Sequence, residues 1–447
     1  MKNIGTSVRP GSARLAAASS VGTTLEWYDF TVYNVLAAVV FNRVFFPSFD
    51  PMVGTLLAFS TYAVGYLSRP FGGLVFGHLG DRRGRRFVLV ATLVIMGAAT
   101  GLMGLLPSYL SWGVWSPVLL VILRFVQGAA IGGEWAGAVL LSVEHGAQHR
   151  RGRNGSFAQM GPACGTILGT GTVAAISISL TPQSFDAWGW RIPFWLSIGL
   201  VGFGLWVRRG VDETPAFLEL QARHETAKAP VKEVFLLHAR PLFTSIGARV
   251  GPDIMYALLV VFTLTYVTTV LRLSRPLALT ATMIGAAFHA VAIPFFGTLS
   301  DRLGRRPVYA VGTALSIGWA FAYFSLMDTR QPFLIGLAVA GGMILHAMMY
   351  GPQAAFITEQ FPPRVRYAGA SLAYTLTGVV AGGFAPLIFT SLYRASGSTI
   401  FLSVYAAVAL GVTLGVLWFA RETVDEAQDA FVDIDRRDAA IGAQSHP

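Results

Sequence analysis

The sequence predicts an all-α membrane protein of twelve transmembrane helices, arranged as two pseudo-symmetric six-helix bundles. Three observations predict it. Apolar residues make up 54% of the 447 residues and charged residues only 13%, too few charges to cover a soluble protein of this size. Apolar runs recur along the chain, most of them close to the roughly 20 residues that a helix needs to cross a bilayer. A ten-residue motif also occurs twice, at corresponding places in the two halves. The 49 glycines suit helices whose backbones approach closely in lipid.

The runs lie at about 17–41, 53–76, 88–107, 117–143, 156–180 and 191–208, and again at 242–270, 278–298, 307–327, 332–357, 368–393 and 399–420. The sixth is short, and Trp188, Trp190 and Trp195 near its start suit an interfacial belt. The expected organisation is an N-terminal segment 1–16, a first bundle 17–208, a linker 209–241, a second bundle 242–420 and a charged tail 421–447. The linker carries Asp212, Glu213 and the stretch from Lys228 to Lys232. A removable signal peptide is not expected, since no isolated short apolar stretch with a small-residue cleavage site follows the polar start.

Charge sets the expected orientation. Of the 33 Lys and Arg residues, 24 fall on segments that share a side with the termini and 6 on the other; Arg69, Arg124 and Arg249 lie inside spans. This bias places both termini in the cytoplasm. It also accounts for the net charge of +10, so no nucleic-acid partner is expected. Cys164 is the single cysteine, which excludes a disulfide or a cysteine-based metal site within one chain. No phosphate-binding loop, H-E-x-x-H or G-x-S-x-G motif occurs, so neither an enzyme nor an ATP-driven pump is expected, and no cofactor or metal.

The duplicated motif runs Gly77-His78-Leu79-Gly80-Asp81-Arg82-Arg83-Gly84-Arg85-Arg86 after the second run and Gly297-Thr298-Leu299-Ser300-Asp301-Arg302-Leu303-Gly304-Arg305-Arg306 after the eighth. Seven of ten positions match at an offset of 220 residues. A second echo pairs Glu144, Arg151 and Arg153 with Glu359, Arg364 and Arg366. Repeated bundles are the mark of alternating-access carriers, whose site lies between the halves.

The pattern G-x-L-x-D-R-x-G-R-R resembles the signature loop of the major facilitator superfamily. Three further runs resemble its metabolite:proton symporter branch: Thr24-Leu25-Glu26-Trp27-Tyr28-Asp29-Phe30, Arg124-Phe125-Val126-Gln127-Gly128 with Gly132-Gly133-Glu134-Trp135, and Gly189-Trp190-Arg191-Ile192-Pro193-Phe194. That resemblance implies a bacterial inner-membrane symporter that carries a small metabolite with a proton; a closed two-bundle architecture needs no partner subunit, so a monomer is expected. Shikimate, 2-oxoglutarate, citrate, proline and betaine are substrates of the branch.

The residues suggest roles. Asp81 and Asp301 suit helix N-termini, while Arg85 with Glu144 and Arg305 with Glu359 form expected pairs at the cytoplasmic face. With Gly77, Arg82 and Gly84 they make an expected cytoplasmic gate. Ionisable groups inside spans are functional by default. Asp29 opposite Arg124 is the favoured proton-coupling pair, with Glu26 and Glu134 as rivals. The expected substrate cavity takes Tyr33, Gln127, Arg249, Asp253, Tyr256, Tyr350, Gln353 and Tyr374; His346, Tyr350 and Gln353 share one helical stripe. His289 reads as an interior histidine. Cavity arginines suit a carboxylate, which favours an organic acid. An uncoupled facilitator, an exporter, an osmolyte symporter and a non-transporting receptor stay open. The coupling charges lie in the first half, which suggests that the first bundle handles the proton and the second selects the substrate.

Overall fold

The computed structural model describes residues 12–48, 57, 60–61, 63–145, 148–208, 213–223 and 227–423. Most of the expected N-terminal segment, Asp212 of the linker and the tail from 424 lie outside the described residues.

The chain is helical because hydrocarbon offers backbone groups no partners, and a helix satisfies them internally. Ten helices among the described residues are long and apolar enough to cross a membrane: Arg85–Met103, Trp115–Glu144, Arg151–Ser179, Gly189–Val207, Ala239–Val270, Pro276–Leu303, Arg305–Met327, Pro332–Glu359, Pro363–Ser396 and Ile400–Phe419. They are the third to twelfth spans. The first is Ser12–Leu36, continued through Ala37–Phe41 to Asn42–Phe45, and the second ends in Arg69–Arg83. Together these are the twelve transmembrane helices in two bundles that the sequence predicts.

The signature motifs differ from expectation in one respect: they are hardly loops. Helix continues to Arg83 and to Leu303, and a single glycine turns the chain into the next helix. Gly84 has φ 107° and Gly304 φ 97°, a region that a side chain makes costly. The motif's charges extend each helix past the apolar run, because they stand beyond hydrocarbon and tolerate water.

Each new helix start is capped. The carboxylate of Glu213 accepts the backbone N–H groups of Arg85 and Arg86, at 3.0 and 3.1 Å. Glu422 does the same for Arg305 and Arg306, at 3.0 and 2.9 Å. The linker forms two short helices, Pro215–Ala222 and Pro230–Leu237, and Glu233 ties it to Arg364 at 3.0 Å.

The two bundles close on each other at the signature-motif end. There the second span packs on the eleventh, and the fifth packs on the eighth and tenth. Gly77 permits this approach, since a Cβ there would lie 3.2 Å from the Cα of Ala368. Beyond Tyr256 and Thr377 the seventh and eleventh spans widen into π-helical turns, Ala257–Phe262 and Gly378–Gly383. Such turns are frequent at functional sites.

Candidate functional site

Two polar systems lie between the halves. The first is at the signature-motif end. Asp301 accepts the backbone N–H groups of Gly152 and Arg153, at 2.8 and 2.9 Å, at the start of the fifth span. Asp81 accepts the N–H of Ala368, at 2.9 Å, near the start of the eleventh. Each acid therefore caps a helix of the opposite half, where the helix dipole favours negative charge.

The expected arginine–glutamate pairs form, each within its own bundle. Arg85 Nε lies 3.6 Å from Glu144 and Arg305 Nε 3.4 Å from Glu359. Glu144 also reaches across, to Arg366 at 3.4 Å. Arg82 points away, to within 3.3 Å of the His78 ring.

The second system is a central cavity of about 40 Å³, lined by Trp27, Tyr66, Arg69 and Pro162 of the first half and Arg249, Asp253, Tyr256, His346, Tyr350, Tyr374, Gly378 and Gly382 of the second. It has room for roughly three waters; an organic acid enters only if the wall gives way. Arg249 is 4% exposed. Its Nη2 donates to both oxygens of Asp253, each at 2.8 Å, and its guanidinium lies 3.8 Å from the Tyr374 ring centroid. Its Nε and Nη1 have no hydrogen-bond partner among the described residues. Arg69 stacks on Tyr66 at 4.1 Å and on Phe30 at 4.7 Å.

Contacts across the halves frame the cavity. Tyr374 stacks on Trp135 with centroids 4.3 Å apart, and Trp27 meets Tyr256 edge-on at 5.7 Å. In the wall itself, His346 Nε2 donates to the Pro252 carbonyl at 3.2 Å. Its Nδ1 then accepts from His289 Nε2, at 2.8 Å, a tautomer assigned from the bonding pattern.

Five expected cavity residues, Arg249, Asp253, Tyr256, Tyr350 and Tyr374, line it together. Tyr33, Gln127 and Gln353 do not: the first two turn into the first bundle, and Gln353 lies at the seam between the halves, where it accepts from Gln159 at 3.5 Å. Tyr33 bonds Thr61, Gln353 donates to Tyr309 at 2.7 Å, and Gln127 joins Arg124.

Asp29 and Arg124 are linked, though not as a direct pair. Arg124 donates to Gln127, Gln127 donates to Thr100 at 2.6 Å, and Thr100 donates to Asp29 at 2.9 Å. Ser197 bonds the other oxygen of Asp29. This chain lies inside the first bundle, on the first, third, fourth and sixth spans, and Asp29 does not line the cavity. Glu134 accepts from Thr92 at 3.1 Å in the same bundle. Glu26 is buried and acts electrostatically on Tyr374.

Sequence reasoning missed Arg69, Trp27 and Tyr66 as cavity residues. Arg69 carried its own signal, a cation inside a span. It also missed the caps Glu213 and Glu422, although Glu-Thr follows both the sixth and the twelfth span.

Comparison with known proteins agrees with this architecture. Residues 15–235 match the family described as sugar (and other) transporter, and residues 253–436 match the major facilitator superfamily. The chain is 40% identical over 407 residues to the shikimate transporter of Escherichia coli K12, covering 90% of this chain and 92% of that one. It is 35% identical over 431 residues to the proline/betaine transporter of the same strain, covering 92% and 85%. A solved proton:xylose symporter shares the fold, with a TM-score of 0.72 at 18% identity over 94% of this chain and 98% of that one. The chain belongs to the major facilitator superfamily of membrane transporters.

Proposed function

We propose that this protein is a proton-coupled symporter of a small organic acid in a bacterial inner membrane, with both termini in the cytoplasm. The cavity carries the reading. It presents two buried arginines, one with N–H groups free of hydrogen-bond partners among the described residues, and arginine is the side chain best suited to hold a carboxylate. The shikimate carried by a relative at 40% identity is such an acid. With the signature motifs facing the cytoplasm, the contacts of Asp81 and Asp301 close the inner side and favour an outward-facing state. An acid buried inside the spans carries the proton.

The test is uptake by proteoliposomes with an imposed pH gradient, alkaline inside. Shikimate and a panel of mono-, di- and tricarboxylates are offered. Accumulation above the outside concentration, abolished by a protonophore, is expected for one acid. Equilibration without accumulation would make the protein a facilitator.

A zwitterionic osmolyte is the second reading. The rings of Trp27, Tyr66, Tyr256, Tyr350 and Tyr374 around the cavity favour it, because aromatic faces hold quaternary ammonium groups. Uptake of betaine in place of every acid would establish it.

A further inference from the structure

We infer that Arg249 and Asp253 couple the two fluxes: Asp253 takes the proton, and the Arg249 guanidinium it releases binds the carboxylate of a monoanionic acid. This rests on the symport reading above and deepens it, moving the proton from the first bundle into the cavity itself.

The geometry points to Asp253. It lines the cavity, whereas Asp29 lies behind it with one oxygen bonded to Thr100 and the other to Ser197. Asp253 is held by a single nitrogen of Arg249, Nη2, which meets both its oxygens at 2.8 Å. The hydrogens on Nε and Nη1 have no partner among the described residues. Arg249 is thus an anion site half filled by the protein's own carboxylate.

Charge bookkeeping supplies the coupling. Unpaired charge in a membrane core is costly. Empty, the site holds Arg249 positive and Asp253 negative, which sum to zero. Loaded, it holds Arg249 positive, the substrate negative and Asp253 protonated, again zero. Substrate without the proton leaves one excess negative charge, and the proton without substrate leaves one excess positive charge.

Only the two neutral states rearrange readily. One proton from outside binds an Asp253 oxygen, one monoanion binds Arg249, and both leave on the other side. No net charge crosses.

The groups facing Asp253 do not upset this sum. Besides Arg249 on its own helix, it faces Arg69 of the second span, Tyr309 of the ninth, His346 and Tyr350 of the tenth and Tyr374 of the eleventh. Glu26 of the first span acts on Tyr374. Arg69 stays charged in both the empty and the loaded state, so it does not change the difference between them.

The test uses the full-length protein in proteoliposomes, with shikimate as probe. Accumulation by the unsubstituted protein under a pH gradient is the control. If it fails, the symport reading falls, and the loss is visible before any variant is made. Asp253→Asn mimics the protonated acid. It should keep counterflow exchange, lose accumulation at least tenfold and bind shikimate with an affinity independent of pH. Asp29→Asn should still accumulate.

A second measurement needs no variant. Calorimetry of shikimate binding in buffers of different ionisation enthalpy should show one proton taken up per molecule bound. The inference is overturned if Asp253→Asn accumulates normally, if Asp29→Asn is the variant that exchanges without accumulating, or if binding takes up no proton.

Discussion

Replacing Asp301 with Asn should unlock the signature-motif end. The carboxylate accepts two backbone N–H groups from the opposite half, at 2.8 and 2.9 Å, and the Arg305 Nη1 of its own half at 2.6 Å. An asparagine has one oxygen, uncharged, so one cross-half bond is lost and the other becomes neutral. Bonds to a charged group are worth about 1.5–3 kcal/mol against about 1 for a neutral one. The closed arrangement should therefore weaken by roughly 2–5 kcal/mol, since neither bond survives once the halves part. That shifts the balance between closed and open by about 30- to 4000-fold. Spin labels on exposed positions of the two halves at this end, read by pulsed electron resonance, report the distance distribution directly. A longer-distance population should appear or dominate. An unchanged distribution with unchanged transport would refute the idea that Asp301 holds the halves together.

Gly84→Ala forces a side chain onto φ 107° and drives its Cβ to 2.2 Å from the Glu213 carboxylate. A backbone cost of about 1–3 kcal/mol should lower the melting temperature in detergent. Tyr374→Ala removes the ring beneath Arg249 and the stack on Trp135; substrate affinity should fall about tenfold or more, while Tyr374→Phe keeps most of it in the same binding titration. Thr100→Val keeps the shape but deletes the hydroxyl between Gln127 and Asp29. Stability should drop by about 1–3 kcal/mol, measured by thermal unfolding, with counterflow exchange retained.

The two signature motifs were legible because their chemistry is local. The repeated spacing and the arginines beyond the apolar run are readable from neighbouring residues; the continuation of helix to Arg83 and Leu303, which puts each acid in a last helical turn, is not. The acids' partners were not legible either. Asp81 and Asp301 bond backbone N–H groups of Ala368, Gly152 and Arg153, and a backbone donor leaves no mark in a side-chain pattern. The Glu213 and Glu422 caps escaped for the same reason: each acts on main-chain atoms more than a hundred positions away.

The sequence by itself determined the spans, the duplication and the family resemblance, because the length needed to cross hydrocarbon and the order of motifs are properties of the chain. Only the tertiary structure decided which side chains share the cavity. In a span, the face towards lipid and the face towards a neighbouring helix are both apolar, so hydrophobic periodicity does not report how each helix is rotated. Rotation turns Asp29 into the first bundle, towards Thr100 and Ser197. It brings Arg69, Arg249 and Asp253 to one small space between the halves.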